Sequence, residues 1–279
     1  MVNRVARIGV WSLVAGILAV GAPSAQAAIL DLTGVTTSGT INTAIFARTD
    51  ITGQGSGIFP AFVQIEGNAG PVTSAYNTTV NGVFDNTQTD TKNHAILLSQ
   101  IPYVVISGVG YREFKLDINE PGNAGSLLSL DDIQIFLSNV ANQSVETCAG
   151  GGACPGLVDI SGTFVYRLDT GGNNQIRLDG SLAGGQGQAD MFAYIPDSLF
   201  LGAATQNVYL FSRFGEGGGN YINNSGFEEW GVRVPTSIAC EQTRTCTPPP
   251  PVVPEPTSLL LMGTGLVAAV GARGFRKRA

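Results

Sequence analysis

Asp117-Ile118-Asn119-Glu120-Pro121-Gly122, followed by Asp131-Asp132, offers oxygen donors at close spacing. Asp, Asn and a glycine at the sixth place follow the first half of a calcium-binding loop. The spacing then breaks, because Pro121 takes a ligand place and Leu128 stands where a bidentate Glu belongs. Two readings stay open. Asp117, Asn119 and Asp131 could hold calcium if the strand before Asn119 and the strand after Leu130 pair as a hairpin. Otherwise the stretch is an Asx-type turn with solvated acids. A second feature is Glu228. In Gly226–Val234, read as the last strand, parity puts Glu228 on one face with Trp230, Val232 and Val234, and Glu229 on the other with Arg233. An inward carboxylate is costly unless it is paired, bound to metal or placed at the strand's open end.

Signatures of catalysis are thin. His94 is the only histidine, lies beside Lys92 and Asn93, and reads as a surface residue. There is no Gly-x-Ser-x-Gly elbow. The expectation is a protein that is not an enzyme, with no cofactor beyond the calcium option. A glycan hydrolase or lyase needs only two carboxylates, so it stays as a third reading. The four cysteines form two pairs with equal gaps, Cys148/Cys154 and Cys240/Cys246. Four cysteines allow three pairings; the local ones close short loops, each contributing roughly 2 kcal/mol. Zinc is the rival, and the gaps with no neighbouring His suit it poorly.

The elements that must carry these residues read as strands. Glu113–Ile118, Asp132–Ser138, Thr163–Leu168, Gln175–Leu182 and Asn207–Arg213 alternate polar and apolar. Ile29–Val35, Ile41–Arg48, Ile58–Ile65 and Ile101–Ser107 are more continuously apolar. Turn signals such as Asn119–Asn123, Gly171–Asn174 and Glu216–Asn220 separate them. Segments 53–57 and 86–93 are polar or glycine-rich and are expected to be mobile. The 37 glycines among 279 residues suit a turn-rich chain. The expectation is an all-β fold, an antiparallel β-sandwich of jelly-roll type. Tyr103, Tyr111, Tyr166, Tyr209 and Tyr221 could stack on sugars or pack within the sheets.

Both ends carry address-like segments. Arg4 and Arg7, the apolar run Ile8–Val20 and Ala25-Gln26-Ala27 make a signal peptide over 1–27, with cleavage before Ala28. Residues 28–246 form the sandwich domain and 247–256 a linker with six prolines. Thr257–Ala272 is uncharged and would span about 24 Å as a helix, just short of a bilayer core, with Arg273, Arg276, Lys277 and Arg278 behind it. That makes 257–279 a marginal transmembrane sorting helix with a basic tail. Residues 28–253 carry 20 acids against nine bases, a net of −11, which argues against a nucleic-acid partner.

Val253-Pro254-Glu255-Pro256-Thr257-Ser258, the apolar run and the basic end resemble the PEP-CTERM sorting signal of Gram-negative bacteria. The resemblance implies that an exosortase acts on the tail during export, with Pro254, Glu255 and Pro256 as the sorting motif. It implies transient anchoring in the inner membrane and a destination at the cell surface or outside the cell. The reading is a structural or adhesive protein of the extracellular matrix; the alternative is a calcium-assisted module that binds exopolysaccharide.

Overall fold

The computed structural model of the protein describes residues 27–48, 60–66, 70–86, 91–120, 126–148, 156–182, 189–224 and 226–233. Ala25, Cys154, Cys240, Cys246, segment 53–57, the linker and sorting motif at Pro254, Glu255 and Pro256, and the apolar run at 257–279 lie outside them. Cys148 is disulfide-bonded, to a partner beyond the described residues.

The strands are β1 Ile29–Asp31, β2 Ser38–Ile41, β3 Ala44–Arg48, β4 Ala61–Glu66, β5 Thr73–Tyr76, β6 Ile96–Leu97 and β7 Tyr103–Ile106. They continue as β8 Val109–Ile118, β9 Leu127–Ser138, β10 Thr163–Arg167, β11 Gln175–Asp179, β12 Met191–Pro196, β13 Asn207–Phe214 and β14 Phe227–Gly231. One sheet runs β1-β11-β9-β13-β5, with β10 also on β9 and β6 on β13. The other runs β2-β3-β12-β8-β14-β4, with β7 also on β8. From β4 onward the chain crosses between sheets at six of the ten steps. Its eight principal strands stack as β4-β14-β8-β12 and β5-β13-β9-β11, the winding of a jelly roll. The expected purely antiparallel pairing is corrected at one edge, where β1 runs parallel to β11.

Alternation places the core. Phe114, Leu116 and Ile118 of β8, Met191, Ala193 and Ile195 of β12, and Val208, Leu210 and Phe214 of β13 meet in one apolar cluster. Trp230 is fully buried there, and its Nε1 donates to Ser212 Oγ across the sandwich at 3.0 Å. In β9 the inward residues are Leu128 and Leu130, then Ile133, Ile135 and Leu137, so the phase slips by one at Asp131-Asp132. The register against β13 shifts at the same place. Such a bulge turns both acids to the outer face and spares the core a carboxylate. A second cluster of Tyr76, Phe136, Tyr209 and Phe211 covers that outer face beneath Val83, Val158 and Ile160.

Several sequence expectations need correction. Ile41–Arg48 is not one strand: Asn42 and Thr43, with φ of 48° and 71°, make a two-residue turn between β2 and β3. Asn42 Nδ2 anchors that turn on the carbonyl of Leu168 at 2.6 Å. The described ends of segment 86–93 are tied down. Asn86 and Asn93 are buried, and Asn93 Nδ2 donates to Asn86 Oδ1 at 2.9 Å and to the carbonyl of Gln64 at 2.7 Å. Here amide side chains replace ladder bonds along β4. His94 is half-buried; its backbone N–H donates to the carbonyl of Phe62, and burial lowers the pKa of its imidazole.

Candidate functional site at the acidic end of the sandwich

The ends of β4, β8, β11 and β13 and the starts of β5, β9, β12 and β14 gather at one end of the sandwich. The connections 67–72, 119–126, 180–190 and 215–226 contain no lysine or arginine, but they do contain Glu120, Asp190 and Glu216. Glu66, Asp117, Asp179 and Glu228 stand at or near the strand ends they join. Glu216 has Arg213 at 3.3 Å, whereas among the described residues no lysine or arginine pairs with Glu120 or Glu228.

Glu228 lies on the inner face, as parity requires. It is paired in register with Ile118 on one side and Ile65 on the other, both core residues. Its side chain is 0 % exposed, and neither carboxylate oxygen has a hydrogen-bond partner among the described residues. Burial pushes its pKa up to about 8, and the carboxylate of Glu120 adds to the rise. Glu120 follows Ile118 by two residues and is itself buried. The backbone N–H of Asn224 donates to its Oε2 at 3.1 Å, which only partly offsets the burial that lifts its pKa to about 7. No lysine or arginine is among the groups that act on either acid.

The loop between β13 and β14 closes this end, and two glycines let it do so. Gly226 has φ of +127°, and a Cβ there would sit 2.1 Å from the carbonyl oxygen of Asn119. Gly215 has φ of +93°, and its Cβ would meet the carbonyl oxygen of Pro71 at 2.0 Å. Both positions need a left-handed backbone and close approach, which only glycine supplies without strain. The backbone N–H of Asn223 donates to that same Pro71 carbonyl at 3.0 Å.

On the outer side of β8, Asp117 and Asp190 hydrogen-bond to each other. Asp190 also accepts from the backbone N–H of Ile118 at 2.7 Å. Burial raises the pKa of Asp190, and the neighbouring Asp117 raises it further. Their direct contact is closer than the ~5 Å between the carboxyls of a retaining glycosidase. Asp190 was missed in the sequence because Met191–Pro196 was not read as a strand, although Met191, Ala193 and Ile195 alternate with Phe192 and Tyr194.

The trio Asp117, Asn119 and Asp131 does not come together. β8 and β9 fall in opposite sheets, so the expected hairpin is not formed and 119–126 crosses between them. Asp117 lies outside one sheet and Asp131 outside the other, with the core between. Asn119 Nδ2 donates to the carbonyl of Phe227 at 3.1 Å. Asp131 accepts from Gln175 Nε2 at 2.8 Å, Ser129 Oγ at 3.0 Å and the backbone N–H of Glu216 at 2.7 Å. Its role is to hold the turn that leaves β13. Among the described residues, no three His, Cys, Asp or Glu side chains gather as a metal cluster.

Other acids have partners. Arg233 grips Glu113 through two bonds, Nε to Oε1 at 3.0 Å and Nη2 to Oε2 at 2.7 Å. Asp132 accepts from Arg167 Nε at 3.0 Å, and Asp197 from Arg112 Nε at 2.7 Å. Beside Glu113, the rings of Phe192 and Tyr194 stack at 5.6 Å with Lys115 Nζ 5.5 Å from the Phe192 ring centre. Tyr166 and Tyr209 are buried, and Tyr221 packs under Arg177. No helix among the described residues is long and apolar enough to cross a membrane.

Among known families, the model of the PEP-CTERM protein-sorting motif matches residues 252–277. Neither a curated protein nor a solved structure matches the chain. A motif of this kind directs a protein to export through the membrane-bound sorting system, with processing by an exosortase.

Proposed function

From a chain that carries a PEP-CTERM protein-sorting motif at residues 252–277, we propose an exosortase-sorted protein that acts at the cell surface or in the surrounding matrix as a structural or adhesive module. The motif carries this reading. Two features of the body support it. The residue expected to become the N terminus is held by the body: the backbone N–H of Ala28 donates to Asn174 Oδ1 at 2.8 Å, beside β1. After β14, a stretch with six prolines between 247 and 256 sets the body roughly 30 Å from the apolar run if extended. Such a spacer would keep the folded body clear of the membrane while an exosortase acts on the tail.

One observation favours a second reading. Tyr194, half-buried and stacked on the buried Phe192, lies near the partly exposed Arg233 that pairs with Glu113, so one aromatic ring and one charged group are within reach of a sugar. A glycan array probed with the exported protein and with Tyr194→Ala tests it. Binding that Tyr194→Ala abolishes would favour an exopolysaccharide-binding module; no binding leaves the structural role.

The primary reading is tested in the native host by replacing Pro254, Glu255 and Pro256 with alanine together. We expect the variant to lose at least about ten-fold of the surface-exposed form and to accumulate in the membrane fraction. Unchanged surface display would refute sorting through this motif.

A further inference from the structure

The structure assigns to Glu120 and Glu228 a buried site for a hard divalent cation at the acidic end of the sandwich, closed by the β13–β14 loop. The carboxyl of Glu228, fully buried, with no other residue among those described hydrogen-bonding to either oxygen and only its own backbone easing the charge, has forfeited water and gained little in its place. Elsewhere the protein solves the same problem with arginine, as for Glu113 and Asp132. At this end no basic residue stands in any of the four connections. The carboxylate that acts on Glu228 is Glu120, two residues beyond Ile118, which among the described residues accepts a hydrogen bond from the backbone N–H of Asn224. Two carboxylates that feel each other's charge inside a low-dielectric end repel one another unless a positive charge or a proton offsets them.

Oxygen-only donors select hard cations. Two carboxylates neutralise one divalent charge, and main-chain carbonyls or waters complete the six to eight ligands that calcium takes. The geometry also supplies a rigid frame. Ile118 and Ile65 clamp β14 at Glu228, and Asn119 holds Phe227 through its backbone N–H at 3.2 Å and its Nδ2 at 3.1 Å. The loop over the top is fixed by the Asn223–Pro71 bond and the close approach at Gly226. Glu228 would hold the ion from the strand and Glu120 from the neighbouring crossover. Binding then ties β8, β14 and their connections into one unit. The site differs from the Asp117, Asn119 and Asp131 trio, which lies on two opposite outer faces.

The test is a set of thermal melts at pH 8 on protein purified from the exported fraction, in calcium, in magnesium and in chelator. A ligand that binds only the native state raises its melting temperature. At a cation concentration about 100 times Kd, we expect a rise of roughly 5–10 °C over chelator. Glu228→Gln and, separately, Glu120→Gln should each abolish the rise, while Asp117→Asn keeps it. Calorimetric titration of the wild type should give one ion per chain. Identical wild-type melts in calcium, magnesium and chelator overturn the site and leave a protonated acid pair. A rise that survives in both glutamate variants overturns it too, by placing the cation elsewhere. Should one glutamate variant not fold, the other and the wild-type titration still decide.

Discussion

Replacing Glu228 by glutamine is expected to stabilise the chelated protein at pH 8 by on the order of 4 kcal/mol, shrinking to below about 1 kcal/mol at pH 5. The sign follows from where the proton goes. In the unfolded chain Glu228 titrates near 4.5; in the fold its pKa stands at about 8. Between those values the native state holds a proton that the unfolded state has released, so stability falls as pH rises through that window. Each unit of pKa difference corresponds to about 1.4 kcal/mol. Glutamine keeps the shape and removes the charge, so the variant escapes the fall. Glu120 and Asp169, each raised to about 7, push the wild type in the same direction. Urea unfolding at pH 5 and pH 8 in chelator measures this. A variant less stable than wild type at pH 8 would mean that Glu228 is ionised and satisfied by groups other than a cation.

Trp230→Ala is expected to cost about 3–5 kcal/mol through the lost side chain and its cavity. The residue is the largest of the fully buried side chains, and its register neighbours are Leu116 and Val63. Truncation also strips Ser212 Oγ of the indole N–H that crosses the sandwich. An orphaned buried hydroxyl adds about 1–3 kcal/mol. Trp230→Phe refills most of the volume but not the bond, so its loss should be the smaller of the two. The urea midpoint should drop with the slope unchanged. A loss below about 1 kcal/mol for the alanine variant would show that Trp230 does not join the two sheets.

Strand positions that alternate cleanly were legible in the sequence. Phe114, Leu116 and Ile118 point inward as their spacing requires, and Glu228 follows Trp230 to the core side. What the spacing hid was pairing. β8 and β9 are neighbours in sequence and lie in opposite sheets, and only long-range contacts decide that. The calcium trio failed for that reason, since it assumed a hairpin where the chain crosses over. Local breaks also went unread. The turn at Asn42-Thr43 carries no glycine, and the bulge at Asp131-Asp132 looks like an ordinary pair of acids until its partner strand is known. Glu120 was inside the stretch first singled out, yet its partner lies 108 positions away at Glu228. Asp190 was within reach, had the alternation of Met191, Ala193 and Ile195 been taken as a strand.

The proposed delivery of this sandwich outside the cell by its sorting tail would leave its mark on both ends of the mature chain. Mass spectrometry of the surface-released protein tests it most directly, by reading both ends of the mature chain. The expected N terminus is Ala28, with no peptide from Leu259–Ala279. Recovery of surface protein with its C terminus intact through Arg278 and Ala279 would contradict processing and leave a body that is anchored and never released.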